Sequence, residues 1–233
     1  MDRRAGAVVS VSLAPLVDGP RQELEVVHRT SSAWQLADVK GCVVACVTFE
    51  GAVRLPHAIS VALAPRAASL VVGGGTLSWD DQPLPIVRWW RPGRPYQPTL
   101  RQRVRAGVAV GFARRWRDTL GRGEGLTPYA DDVICGTLAT LQAACHPLAA
   151  DVSVEIAATR LEDHTTAASA GLLRQAAARW CLDEVSAVLA AQATGLGVAA
   201  ADAALRRVGH SSGRGLAEGI DRVLRTTMRE VTA

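Results

Sequence analysis

Two adjacent carboxylates, Asp131 and Asp132, close the stretch GRGEGLTPYADD at residues 121–132. Ahead of them stand alternating glycines, Gly121, Gly123 and Gly125, then Leu126, Thr127, Pro128 and Tyr129. Glycines in this arrangement let backbone N–H groups approach a ligand without interference from a Cβ, and such loops form concave anion sites. The apolar run DDVICGTLATLQAACH follows directly and predicts a helix whose free N–H groups add to the same positive field. The two aspartates then allow three roles: capping that helix and complementing its dipole, holding a divalent cation such as Mg²⁺, or acting as general base beside a bound phosphate or carboxylate. The stretch is not a Walker A loop, because no Gly-Lys-Ser/Thr follows. Nor is it a dinucleotide fingerprint, because a helix and not a strand precedes it.

Two further stretches have polar residues where helices are expected to start. GHSSG at 209–213 matches the G-x-S-x-G of a nucleophile elbow. An elbow needs a preceding strand, yet AAADAALRRV reads as a helix, and all five histidines (His28, His57, His146, His164 and His210) precede Ser211. The better reading is another helix N-terminus, with Ser211 or Ser212 as cap, Gly213 after them and an anion within reach. In DHTTAASAGLL, residues 163–173, Asp163, Thr165 or Thr166 caps a helix and Ser169 stands one turn on. Each stretch alone is an ordinary cap. If the three converge, they make a pocket for a small polyanionic ligand.

The elements that must position these residues change period along the chain. Up to about residue 98, β-branched runs recur (AVVSVSL, LEVVHRT, CVVACVTF, AISVALA, SLVVGG, PIVRWW) with Gly, Pro and Asp punctuation between them. From Thr99 the period becomes about 3.6, with Leu100, Val104, Val108 and Phe112 on one face of a helix reaching about Thr119. Later helices are expected at about 164–180, 182–194, 198–208 and 212–228. The fold class is therefore α+β: a β-sandwich or barrel-like half over 1–98, then a helical half over 99–233 that carries the motifs. The two are joined by the proline-stiffened RWWRPGRPYQP, in which Trp89 and Trp90 suit an interface.

Composition narrows the class. The chain has 233 residues and a net charge of +4, with Lys40 the one lysine among 26 basic residues. The arginines are dispersed and no basic run occurs, so nucleic acid is not expected as a partner. No apolar run has the length of a membrane span. The cysteines number five, an odd count without a zinc-finger spacing, which fits a cytoplasmic protein with buried thiols. The opening MDRRAGAVVSVSL reads as a first strand and not as a signal peptide.

Taken in order, GRGEGLTPYADD, TTAAS and GHSSG resemble the motifs of the DUF2877 proteins, whose pattern is G-x-G-x-G-L-T-P-S-G-D-D, T-T-x-x-S and G-H-S-S-G. The best-known member of that family is a subunit of oxamate carbamoyltransferase, which exchanges carbamoyl groups between carbamoyl phosphate and oxamate, with oxalurate as the carbamoylated partner. The resemblance implies carbamoyl-transfer or related small-acid chemistry, in an assembly with partner subunits or in a homo-oligomer. Carried over position by position it implies a site of Gly121, Gly123, Gly125, Leu126, Thr127, Pro128, Asp131, Asp132, Thr165, Thr166, Ser169, Gly209, His210, Ser211, Ser212 and Gly213. Of these Asp131, Asp132 and His210 are expected to be catalytic, and the others, together with Tyr129, to contact substrate or phosphate. No cofactor other than Mg²⁺ on Asp131 and Asp132 is expected. Tyr129-Ala130 replaces the family's Ser-Gly, which points to a different substrate or to a member that has left the original reaction. The rival readings are a non-catalytic assembly or regulatory subunit, and a biosynthetic enzyme repurposed for another small acid.

Overall fold

The computed structural model describes residues 6–62, 69–79 and 82–224. The β half is one nine-stranded sheet that curls into a half-barrel. Of the two expected forms it is the barrel-like one; the strands do not divide into the two packed layers of a sandwich. Its strands are β1 (Ala7–Ser10), β2 (Gln22–Arg29), β3 (Ala33–Ala37), β4 (Val43–Thr48), β5 (Ala58–Ser60), β6 (Ser69–Gly73), β7 (Thr76–Trp79), β8 (Gln82–Pro83) and β9 (Ile86–Trp90). They lie in the order β8-β7-β6-β2-β3-β4-β5-β1-β9, antiparallel except for the β4–β5 and β1–β9 pairs.

Alternation decides which face each residue takes. Leu24, Leu36, Ala45, Val47, Ile59, Leu70 and Val72 point to the concave side, where they close over Leu13 and Val17. Those two come from a 3-10 turn (Val11–Leu13) and a single-turn helix α1 (Ala14–Val17), which end the first strand earlier than its apolar run predicts. Pro15 at the start of α1 explains the break, since it offers no N–H to a ladder.

Seven further helices follow: α2 (Ala106–Thr119), α3 (Tyr129–Ala143), α4 (Leu148–Ala158), α5 (Ala167–Ala177), α6 (Asp183–Thr194), α7 (Val198–Arg206) and α8 (Ser212–Val223). The continuous helix expected from Thr99 is instead a 3-10 segment (Pro98–Arg103) and α2, separated at Val104, whose backbone is extended and bridges Leu224. The pattern does not announce α4, because Val152, Val154 and Ile156 alternate as in a strand. The expected extension of the last helix to 228 falls outside the described residues. Among the described residues, no helix is long and apolar enough to cross a membrane.

Helix α3 is the axis of the second core and is buried almost throughout, packed with Leu100, Trp116, Ile156, Leu173, Leu189 and Ile220. It meets α8 at backbone contact. A Cβ on Gly136 would stand 2.1 Å from the Leu216 carbonyl oxygen, and one on Gly219 would stand 2.4 Å from that of Val133. Helix α5 lies on the outer face of the sheet. Its Arg174 grips Glu162 with two hydrogen bonds of 2.5 and 2.7 Å, and Glu162 accepts the Val43 N–H of β4 at 2.7 Å. Burial works to raise the Glu162 pKa, but Arg174 and the Val43 amide outweigh it and hold the carboxyl below its usual range. Trp90 is buried and Trp89 is 40% exposed on the edge strand, so only one of the pair presents itself to a partner.

Candidate functional site

Two hydrogen bonds set α3 and α5 side by side and parallel. At one end the Thr165 hydroxyl donates to Asp131 Oδ2; at the other the Gln142 amide donates to the Ala176 carbonyl at 2.8 Å. Helix α8 joins them through Thr127 and Ser212, whose hydroxyls are 2.7 Å apart. The three N-termini therefore meet, and the three motifs are hydrogen-bonded to one another. Thr166 adds a further link by donating to the Leu126 carbonyl at 2.6 Å, and it caps α5 by accepting the Ser169 N–H at 3.2 Å. Ser211 occupies the N-cap of α8, but its side chain makes no capping bond.

The neighbouring aspartates part company here. Both are buried, at 1% and 3% exposure. Asp131 is fully engaged: Oδ1 accepts the Gly121 N–H at 2.7 Å and Oδ2 accepts from Thr165. It ties the loop to the helices and does not cap α3. Asp132 lines the cavity described below, and its Oδ2 has no hydrogen-bond partner. Burial pushes its pKa up to about 7; the Ser212 and Thr127 hydroxyls pull the other way, and the Asp131 charge adds to the rise. A carboxyl poised near neutrality can take up and release a proton under working conditions.

The glycines also divide. A Cβ on Gly121 would stand 2.1 Å from the His164 carbonyl oxygen, and one on Gly123 would stand 2.7 Å from the Tyr129 amide. Both have positive φ, so steric closeness and backbone conformation already require glycine there. Gly125, with φ +98°, has nothing within 4 Å of where its Cβ would be, and it lines the cavity. Gly213 is a packing residue, its would-be Cβ 1.9 Å from the Leu205 carbonyl oxygen.

The cavity measures about 820 Å³. Of the residues expected from sequence, Gly125, Leu126, Thr127, Tyr129, Asp132, Gly209, His210, Ser211 and Ser212 line it. Gly121, Gly123, Pro128, Asp131, Thr165, Thr166, Ser169 and Gly213 stand behind it, as supports. The Tyr129 hydroxyl donates to Glu218 at 2.5 Å, and that bond, with burial, raises its pKa and keeps the phenol protonated. Asp131 is already bonded and Asp132 is the one carboxylate of the pair at the cavity. Among the described residues no group of three or more His, Cys, Asp or Glu is placed to hold a metal ion.

Some lining residues escape sequence reasoning. Arg214, one turn into α8, brings a guanidinium to the cavity, and only the helical register reveals it. Gln35 arrives from β3, at 2% exposure, donating its amide to Cys46 Sγ at 3.3 Å. Nothing in its own stretch marks it, because the contact spans the sheet and the helical region. Cys135 faces the cavity a turn after Asp132, and burial together with the charges of Asp132 and Asp131 holds its thiol well above the ordinary range, hence neutral.

Residues 119–224 fit the model of the family described as oxamate carbamoyltransferase subunit AllH, known also as DUF2877. No curated protein and no solved structure matches the chain. The matched segment starts two residues before the glycine loop and runs through α8, so it contains all three motifs and most of the cavity wall. Over this helical region the chain is similar to the AllH family of oxamate carbamoyltransferase subunits.

Proposed function

We propose that the chain is the subunit of a carbamoyl-transfer enzyme that binds the small acid and moves the proton, working with the partner subunits that its family description implies. The observation that carries this reading is Asp132: a buried carboxyl, near neutral in pKa, with one oxygen unpartnered, at the meeting of three helix N-termini. Converging N-termini favour anions, and Arg214 adds a full positive charge at the cavity wall.

In this reading a substrate carboxylate or phosphate sits against the α8 N-terminus, Ser211, Ser212 and Arg214. The acceptor nitrogen attacks the carbamoyl carbonyl carbon, forming the new N–C bond as the bond to the leaving oxygen breaks. Asp132 takes the proton that the attacking nitrogen must lose. His210, exposed at the rim, is placed to return a proton to the leaving group. Positioning and charge stabilisation supply most of the barrier reduction. A magnesium ion would have Asp132 as its one available carboxylate of the pair and would need substrate oxygens to complete its shell. The proton transfer itself needs only the carboxyl.

Thermal unfolding of the full chain with phosphate, carbamoyl phosphate, oxamate and oxalurate, each with and without Mg²⁺, tests the reading. A ligand at about 100 times its Kd stabilises by roughly 2.7 kcal/mol, a rise of about 5–10 °C in Tm for a chain of this size. A selective shift, lost in Ser212→Ala or Arg214→Ala, supports the anion site. No shift with any of the four overturns it for the isolated chain.

A further inference from the structure

The cavity is far larger than the acid in the family's description requires. Oxamate has six non-hydrogen atoms, whereas cavities of several hundred Å³ enclose ligands several times that size. Here the volume is about 820 Å³, and the excess is not polar. Helix geometry shows how the wall changes character. Along α3, beyond Tyr129 at its start, the lining positions are Asp132, Cys135 and Ala139, spaced to share one face and spanning about 10 Å of helix. Along the parallel α5 they are Ala168, Leu172 and Ala176, and along α8 they are Ser212, Arg214 and Leu216. Each series leads from the convergent polar end towards apolar residues. Trp180, Leu182 and Val185, from the turn after α5 and the start of α6, continue the wall. Trp180 is itself held by the Arg94 guanidinium, 3.7 Å from its ring centre. Small residues at 139, 168 and 176 keep the space open where a Leu would fill it.

We propose that the substrate carries an apolar substituent of about four to six carbons, the length that a wall of about 10 Å accommodates, seated between α3, α5 and the start of α6 while its acid group occupies the α8 N-terminus. The proposal rests on the reading of this cavity as the small-acid site. It assigns specificity to Leu172, the half-exposed residue midway along α5. The continuity of the apolar wall with the Asp132 end argues for one ligand spanning both.

The test is a titration of the full chain with oxamate and its N-methyl, N-butyl and N-hexyl derivatives, which share one head group and differ only in alkyl length. Burial of each methylene should tighten binding about threefold to fourfold, up to the length at which the wall ends. In Leu172→Trp, which fills the space, and Leu172→Asn, which makes the wall polar at a site that water reaches, the ratio of N-butyloxamate to oxamate affinity should collapse towards one. The unfolding temperature of each variant checks its fold, and either variant alone suffices. A rising series that both variants flatten supports the proposal, as does binding of the alkylated acids where oxamate itself is too weak to detect. A flat series with measurable oxamate binding overturns the proposal and leaves the small-acid reading standing, and so does a rising series that folded Leu172 variants leave unchanged. Failure of all four probes overturns both.

Discussion

Asp132 and His57, one in each region, are buried titratable side chains with polar atoms that lack a hydrogen-bond partner among the described residues, and their surroundings differ in one respect. Asp132, at the start of α3, borders the cavity; its pKa rises to about 7. His57, just before β5, is fully buried beneath α5, where a Cβ on Gly171 would stand 2.5 Å from its Nε2. Neither ring nitrogen has a partner, and burial, helped by the Arg174 charge, lowers its pKa to about 4. Both shifts have the same leading cause, the loss of water around the charged form. What separates them is access: Asp132 can exchange its proton with a ligand, whereas His57 is sealed and stays neutral at physiological pH. A perturbed pKa marks a working group only where a cavity reaches it.

The comparison breaks most sharply at Asp132. Replacing it with Asn should lower carbamoyl transfer, measured in the complete enzyme, by at least about a hundredfold, the range for loss of a general base. Because the folded pKa lies above the unfolded value of about 4, the carboxyl favours folding while protonated, and this contribution fades as pH rises from about 4 through about 7. The Asp132→Asn substitution removes the charged state, so the variant should gain stability over the wild type at pH 8, by up to about 4 kcal/mol, and lose that gain by pH 4. Urea unfolding at the two pH values measures it. Asp131→Asn should instead loosen the Gly121–Thr165 tie and lower activity, moving the pH profile only slightly downward, because the Asp131 charge is the smallest contributor to the raised Asp132 pKa. An equal displacement of the profile by both substitutions would erase the distinction between the two carboxyls.

His57 predicts the opposite slope. Its folded pKa is depressed, so the stability linked to the neutral ring is present above about 6.5 and is lost as pH falls towards 4. The full effect is at most about 3 kcal/mol. In His57→Leu the unfolding free energy should lose that part of its acid dependence, with little change in the affinity of any cavity ligand. Unaltered acid dependence would mean that water reaches the ring and that the seal under Gly171 is incomplete.

What could be seen in advance follows the range of the interactions. The change from period 2 to period 3.6, the helix starts at Thr166 and Ser212, and the polar stretches themselves are local, and local composition discloses them. The sealed side of the molecule is not local. Nothing around His57 says that α5 will cover it, and nothing around Gln35 or Leu172 says that they will line a cavity. The glycine loop misleads in a useful way. Backbone access for a ligand and steric closeness to His164 both demand glycine, and only the positions of neighbouring atoms separate Gly125 from Gly121 and Gly123. A strand-like alternation in α4 is likewise resolved only by packing, since Val152 and Ile156 reach the helical core from a helix as well as from a strand.

The smallest effect concerns Tyr129, where the family pattern has serine. Its hydroxyl donates to Glu218, whose other oxygen accepts from Arg222, so the phenol ties the first turn of α3 to the last turns of α8. The bond is partly exposed, and its loss in Tyr129→Phe should cost about 1 kcal/mol or less. The ring remains and keeps its place at the cavity, so ligand affinity should hold within about twofold for the same small free-energy change. Tyr129→Ser removes the ring as well, and with it a wall beside Asp132. If the aromatic ring shapes the entrance for a bulkier acid than oxamate, the serine variant should shift preference among the N-alkyl oxamates while the phenylalanine variant does not. Equal behaviour of the two would assign the residue to the α3–α8 contact alone, and the difference between cavity and seal would then end one residue short of Ala130.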